Sequence, residues 1–329
     1  MPDPIPPHAP VSGSEPVAGV SSRQRLAVLL ATYNGANWLG PQLDSIAAQT
    51  LRPDLLMVSD DASQDATPDV LDAFATATPD IPVRRLEGPG AGAAANFLSL
   101  IRRVPSDIDR ISFADQDDVW QPGKLARAMA HLDAAGDGRP ALYCARILVC
   151  DADLSNRKPS RGPSRAPSFR NALTQNIATG NTIVLNRPAL ALVRAAAAVT
   201  GPIVVHDWWL YQIVTGAGGR ILFDTEPQVL YRQHGANLIG ANSGLVARTR
   251  RIRQLLGGVY GDWNRLNLAA LEAAQDLLTS ENAALVTGFA AARRAGPVAR
   301  VAALPRLGLY RQSWMGQSSL YAAAALGKI

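Results

Sequence analysis

Cysteine is almost missing from this chain: Cys144 and Cys150 are the only two in 329 residues, both inside the apolar stretch ALYCARILVC. Two thiols without a nearby histidine pair make no zinc site, and they read as free thiols of a reducing compartment. Charged residues are scarce at 18% against 47% apolar, the balance of a globular chain with a substantial core. Long hydrophobic runs are missing as well; none approaches the roughly 18 to 20 apolar residues that span a bilayer. The N-terminus lacks a basic-then-apolar signal. Its Pro-, Ser- and Gly-rich residues 1–23 are expected to be disordered, and the protein cytoplasmic. No Gly-x-Ser-x-Gly elbow and no Walker A loop occurs, which removes serine-hydrolase and P-loop readings.

What is present is concentrated in ISFADQDDVW, residues 111–120. A short apolar run ends abruptly in three carboxylates, Asp115, Asp117 and Asp118. Apolar runs of this length between helical patterns read as buried parallel strands, and open α/β sheets place ligands at the carboxyl ends of such strands. Acids crowded there repel one another unless a cation or a hydrogen-bonded partner sits among them. A hard divalent ion, Mg²⁺ or Mn²⁺, sharing its shell with substrate phosphates is the economical solution. A solvated acidic loop is the competing reading for the motif taken alone.

Two earlier segments repeat the pattern. LAVLLATYN runs into Thr32, Tyr33 and Asn34, and LLMVSDDAS runs into Asp60 and Asp61. Helical spacing follows each, as in Leu39, Leu43 and Ile46. Thr67 and Pro68 read as N-cap and first helical residue, and Pro122 as the opening of a helix through Leu132. The βαβα alternation predicts a Rossmann-like, mostly parallel sheet flanked by helices on both faces. From residue 140 the rhythm changes. ALYCARILVCD and TGNTIVLN are strand-like, HDWWLYQIVTGAG is helical, RILFD and QVLYRQH are two strands, and residues beyond 244 are helical with breaks near Gly296-Pro297 and Pro305.

Together TYNGANWLGPQLDSIAAQT, VSDDASQDAT, FADQDDVWQPGK, TGNTIVLN, HDWW and YRQHGAN resemble glycosyltransferase family 2, with its GT-A fold. The resemblance covers roughly residues 24–240 and is nearest to rhamnosyltransferase-like members that build bacterial surface polysaccharides. It implies an inverting, divalent-metal-dependent transfer from a nucleoside diphosphate sugar, dTDP-rhamnose or a UDP-sugar, to a saccharide or lipid-linked acceptor. Position by position it implies that Thr32, Tyr33 and Asn34 touch the nucleotide, and that Asp61, with Asp60 beside it, reads the base. Asn96 belongs to a segment closing over the nucleotide. Asp115, Gln116 and Asp117 match the DxD element, with Asp115 near the ribose and Asp117 the metal ligand. Asp118 is an alternative the sequence does not separate from it. Asp207 matches the catalytic base, preceded by His206 where many members carry Glu. Thr179, Gly180 and Asn181 line the acceptor side, His206 orients acceptor or simply starts a helix, and Trp208 stacks on a sugar or belongs to the core. Arg232 holds phosphate, and His234 completes the metal shell or contacts the diphosphate.

Two competing readings remain. The loop GPGAGAAAN fits G-x-G-x-x-A, the turn of an NAD(P) oxidoreductase, but two strand–helix units precede it where that turn should follow the first strand. A catalytically silent nucleotide-sugar binder is the other. The tail is distinct in charge: residues 245–329 carry 11 Lys/Arg against 4 Asp/Glu. The expected domains are therefore a catalytic unit over 24–244 and a basic helical extension over 245–329. That extension is expected either to contact the inner face of the plasma membrane or to pack on the domain or a homodimer partner. No nucleic-acid partner is expected.

Overall fold

The computed structural model describes residues 24–234 and 258–329. The expected disorder of 1–23, the domain boundary at 244 and the arginines at 248–253 lie outside the described residues.

The chain starts as three strand–helix units. These are β1 (Leu26–Thr32) and α1 (Ala36–Ala47), β2 (Leu55–Asp60) and α2 (Thr67–Ala77), then β3 (Val83–Glu87) and α3 (Ala93–Arg102). β4 (Arg110–Asp115) follows, then the short β5 (Val119–Trp120) and α4 (Lys124–Ala135). The second half contributes β6 (Ala141–Cys150), β7 (Lys158–Pro159), α5 (Phe169–Ala172), β8 (Val184–Leu185), α6 (Arg187–Val199), α7 (His206–Gly216) and β9 (Arg220–Arg232). Four further helices close the described chain: α8 (Val259–Ala273), α9 (Ser280–Arg294), α10 (Pro297–Arg306) and α11 (Trp314–Ala325).

One sheet joins the strands in the order β3-β2-β1-β4-β8-β6-β9-β5, with β7 on β6. The long ladders, β3-β2-β1-β4 and β6-β9, are parallel; the short β8 and β5 pair antiparallel to their neighbours. The parallel strands need covering on both faces, which explains why every residue of β1 is buried. Leu26, Val28 and Leu30 face one core with Leu39, Leu43, Phe74 and Leu125 of α1, α2 and α4. Ala27, Leu29 and Ala31 face the other, with Phe97 and Ile101 of α3 and Trp209 and Ile213 of α7.

That second core also takes in Leu271 of α8, Phe289 of α9, Leu304 of α10 and Leu320 of α11. The tail therefore packs on the sheet's helical layer instead of standing apart. Arg311 donates to the Thr174 carbonyl at 3.0 Å, and Gln312 N to Gln175 Oε1 at 2.8 Å.

Several local expectations shift by a residue or two. Asp65 Oδ1 accepts from Thr67 N at 3.0 Å, so Asp65 supplies the cap at the start of α2 and Thr67 already lies in the helix. The helix after Pro122 begins at Lys124. RILFD and QVLYRQH are parts of one strand, β9, with a register irregularity opposite Ala145 and Ile147. Pro305 sits inside α10, which runs on to Arg306.

Candidate active site

The parallel register aligns the polar strand ends. Thr32 pairs with Asp60 across β1 and β2, and Ala31 with Asp115 across β1 and β4, so the three polar turns meet on one rim. The turn after β1 is locked to the acidic strand end by a reciprocal pair. Tyr33 N donates to Gln116 Oε1 at 2.8 Å, and Gln116 Nε2 donates to the Tyr33 carbonyl at 2.9 Å. A side chain at Gly35 would put its Cβ 2.3 Å from Gln116 Oε1, so only glycine admits this approach. Asn34 adopts φ 46°, a left-handed conformation asparagine tolerates, and its Oδ1 accepts from Gln64 N at 2.8 Å. Tyr33 itself is exposed on the rim.

Asp60 and Asp61 have different tasks. Asp60 accepts from the Thr32 hydroxyl at 2.7 Å and from Ser63 N at 2.8 Å, which ties the first two turns together. Asp61 is buried, and its two oxygens accept from Gly90 N at 2.6 Å and Gly92 N at 2.8 Å. The glycine loop is thus held at the edge of the sheet after β3 by a carboxylate from β2. A dinucleotide turn would instead follow the first strand. Asn96 is buried beneath this region, its amide donating to the Ser59 carbonyl at 2.8 Å, so it ties the loop's helix to the end of β2.

The acids at the end of β4 diverge. Asp115 is pushed up to about 7, first by burial and then by the charges of Asp117 and Asp207. Asp117 faces His234, whose Nε2 is 2.9 Å from Asp117 Oδ2. Asp118 turns inward, fully buried, where Asn181 donates to its Oδ2. Burial pushes Asp118 well above the ordinary carboxylate range and the nearby Lys124 well below its own. Lys124 donates to Ser112 Oγ at 2.8 Å and lies 3.4 Å from the centre of the Trp120 ring. Asp118 is therefore an internal strut, which separates it from Asp117 where sequence did not.

Arg232 is buried at the end of β9, where its Nε donates to the Asp117 carbonyl at 3.0 Å and another nitrogen to Ala152 O. Its guanidinium lies 4.8 Å from the Trp38 ring centre, and Trp38 in turn stacks on His234 at 4.8 Å and 16°. Trp38 had no signal in the sequence beyond its place one turn into α1.

Across the rim, Asp207 occupies the first turn of α7, with its Oδ1 accepting from Trp208 N at 2.6 Å. Burial pushes it up to about 6, against the lowering effect of hydrogen bonds from Trp208 N, the Asn176 side chain and Gly180 N. Its influence on Asp115 puts both carboxyls in one electrostatic neighbourhood. Asn176, a donor to the expected base, escaped sequence reasoning because it lies in an unpatterned loop.

Three residues expected on the acceptor side are buried, and for His206 and Trp208 this matches the alternatives of helix start and core residue. His206 is buried with its ring 3.9 Å from that of Phe97 and 5.4 Å from that of Phe113. Trp208 is buried, its indole donating to the Ala172 carbonyl at 2.7 Å and its ring edge-on to Trp263 at 6.3 Å. Trp209 is buried too, so neither tryptophan stacks on a sugar. Asn181 spends its amide on Asp118. Of the TGN turn, Gly180 is what meets Asp207, and a Cβ there would fall 2.7 Å from His206 Nε2.

The diverging carboxylates at the strand ends thus share one rim with a carboxyl at a helix start whose pKa is raised by burial. The sequence matches the model of "Glycosyl transferase family 2" over residues 27–199. The chain belongs to that family. It is 29% identical over 243 residues to the dTDP-rhamnosyl transferase RfbG of Shigella flexneri, covering 72% of this chain and 81% of that protein. Its fold is similar to S. aureus TarS 1-349, solved with UDP-GlcNAc, at TM-score 0.54 and 13% identity over 93% of this chain and 90% of that one. The mannosyltransferase PcManGT of Pyrobaculum calidifontis, solved with GDP-Man and Mn²⁺, gives TM-score 0.50 and 20% identity over 94% and 88%. This glycosyltransferase accordingly has the GT-A-like architecture that the sequence pattern predicts.

For a divalent ion the glycosyltransferase offers Asp117 Oδ2 and His234 Nε2 at one point on the rim. Among the described residues no group of three His, Cys, Asp or Glu side chains converges as a complete cage. The pair fits an ion that takes its remaining ligands from phosphate and water oxygens, as Mg²⁺ commonly does. Among the described residues no helix is long and apolar enough to cross a membrane.

Proposed function

We propose that this glycosyltransferase carries out an inverting, divalent-metal-dependent transfer from a nucleoside diphosphate sugar to a saccharide or lipid-linked acceptor. The observation that carries the reading is the pairing of two carboxyls across one rim. Asp207 is pushed up to about 6, and its charge helps to push Asp115 up to about 7. Asp207 takes the proton of the acceptor hydroxyl as its oxygen attacks the anomeric carbon; a positioned base of this kind contributes about 10²- to 10⁴-fold. A pKa near the working pH favours such a step, because the base is largely ionised yet still able to hold the proton.

Asp117 and His234 would hold the cation, which supplies charge neutralisation on the departing diphosphate. Asp115 lies nearest the ribose, and Gln116 keeps the Tyr33 turn in register with it. Asp61 and the glycine loop it anchors form the wall against the base. The likeness to a dTDP-rhamnosyl transferase supports dTDP-rhamnose as donor, with a UDP-sugar as the alternative. Thermal shift against dTDP, UDP and GDP, each with and without Mn²⁺, tests the binding half, since a ligand of the native state raises apparent stability. The expected result is a rise with dTDP or UDP that needs Mn²⁺. Equal shifts with and without the ion would remove the metal from the reading. Product analysis by NMR of the anomeric linkage then tests inversion.

A further inference from the structure

We propose that the outward face of the α10–α11 hairpin seats on an anionic lipid surface. Six large hydrophobic side chains are exposed among the described residues, and four of them lie on this hairpin: Val298 at 86%, Trp314 at 78%, Met315 at 55% and Leu326 at 57%. α11 has no charged residue from Trp314 to Ala325. Its buried residues Leu320, Ala323 and Ala324 form the inward stripe. Trp314, Ser318, Ala322 and Ala325-Leu326 recur at helical spacing on the exposed side. A surface helix of a water-soluble protein ordinarily puts charge there; the exposed side of α11 instead carries only apolar residues and uncharged serines.

The two helices run side by side in opposite senses. Arg300, near the start of α10, donates to the Ala324 carbonyl at the end of α11 at 2.9 Å, so Val298 and Leu326 come to the same end of the hairpin. Trp314 and Met315 mark the other end. At 12 residues α11 is roughly 18 Å long, too short to cross a bilayer but suited to lying in its interface.

Charge decides among occupants. Residues 282–329 contain six Arg/Lys and no Asp or Glu. Exposed Arg306 flanks the hairpin near Trp314, and Lys328 follows Leu326. An uncharged face on a segment whose own ionic side chains are all cations, with Asp262 of α8 near its Lys328 end, matches a bilayer carrying anionic headgroups, and disfavours a second copy of itself. A lipid seat of this kind would bring a lipid-linked acceptor to the rim by reducing the search from three dimensions to two. The seat itself does not depend on the proposed sugar chemistry.

The test is co-sedimentation of the full chain with vesicles of phosphatidylcholine alone or mixed with phosphatidylglycerol, alongside the variant Trp314→Ser with Met315→Ser. Both residues are solvent-exposed and outside the catalytic rim, so the variant keeps its melting temperature and its nucleotide binding. The expected result is binding that requires phosphatidylglycerol and weakens in high salt. The double variant should lose at least about tenfold in apparent affinity, because two large apolar side chains no longer leave water. Absence of binding to either vesicle, or unchanged binding by the variant, would overturn the proposal. So would light scattering that finds a dimer which the double variant dissolves, since the face then belongs to a second copy. A missing nucleotide response in the thermal-shift panel leaves this result untouched, so the two readings fall separately.

Discussion

Asp118 and Asn181, 63 residues apart, share a buried hydrogen bond inside the protein. The contact fastens the acidic strand end after β4 to the turn that carries Gly180, whose N–H reaches Asp207. The acidic strand end and the first turn of α7 are thereby held in one frame. Asn181→Ala removes the amide and leaves a buried carboxyl without that partner, which costs about 1–3 kcal/mol. Differential scanning calorimetry should register a lower melting temperature; a variant as stable as the parent would show that the contact holds nothing together.

Asp207→Asn keeps the shape of the side chain and removes its basicity. Transfer should fall about 10²- to 10⁴-fold while nucleotide binding stays near normal. In the parent protein the ionised base accumulates as pH rises through about 6, so the transfer rate should climb across that interval and flatten above it. A rate measured from pH 5 to 8 that stays level at its acid end would remove Asp207 from this role.

Asp117 and Asp118 can be told apart by metal titration. Asp117 shares its position with His234, so Asp117→Ala should weaken Mn²⁺-dependent nucleotide binding without much effect on folding. Asp118→Ala should do the reverse, because it takes away the buried acceptor of the Asn181 amide and leaves that donor unsatisfied, which costs about 1–3 kcal/mol. Calorimetric titration with Mn²⁺ plus dTDP, read next to the melting temperatures, distinguishes the two. Equal losses in both measurements for both variants would contradict the division of tasks.

Much of this arrangement was legible in the chain itself. β1, β2 and β4 announce themselves because a strand covered on both faces is dominated by apolar residues, and each breaks off in polar residues where it leaves the sheet. Parallel order then suffices to bring Asp60, Asp115 and the Tyr33 turn to one side. Burial direction was not legible. Asp117 and Asp118 are adjacent letters, yet one faces the rim and the other Asn181. α7 is buried along nearly its whole length, so no periodicity marks which of His206, Asp207 and Trp208 meets the cleft. Trp38 and Asn176 gain meaning only through partners 196 and 31 positions away, Trp38 against His234 and Asn176 against Asp207.

The glycine loop offers a measurement free of turnover. Gly90 and Gly92 have φ 65° and 86°, and their amides end on the two oxygens of Asp61. Asp61→Ala leaves both amides to solvent, and two charge-assisted hydrogen bonds of this type contribute about 1.5–3 kcal/mol each. Amide hydrogen exchange at Gly90 and Gly92 should quicken by at least about tenfold with the sheet unaffected. Exchange unchanged at both glycines would show that the loop holds its shape without the carboxylate.

His206 predicts an acid-sensitive core. Burial against Phe97 and Phe113 pushes its pKa down to about 3, against an ordinary value of 6.5. Between these values the unfolded chain binds a proton at this residue and the folded one does not. Stability from the neutral ring is therefore complete above 6.5 and declines as pH falls toward 3. The slope approaches about 1.4 kcal/mol per pH unit inside the window. Asp207 and Asp115 act in the opposite sense, since their raised values make the folded state hold protons between 3.8 and about 6 to 7. Their effect is shared by a variant that lacks only the imidazole, so it cancels in a comparison. His206→Leu should be somewhat less stable than the parent at pH 7.5, where the packing of the ring is lost without any titration benefit. In urea unfolding at pH 7.5, 6.0 and 4.5 the gap should narrow and then reverse as acid penalises the parent alone. A difference between the two proteins that stays constant over this range would mean that the ring is protonated in the folded state and is not enclosed as the two phenylalanines imply.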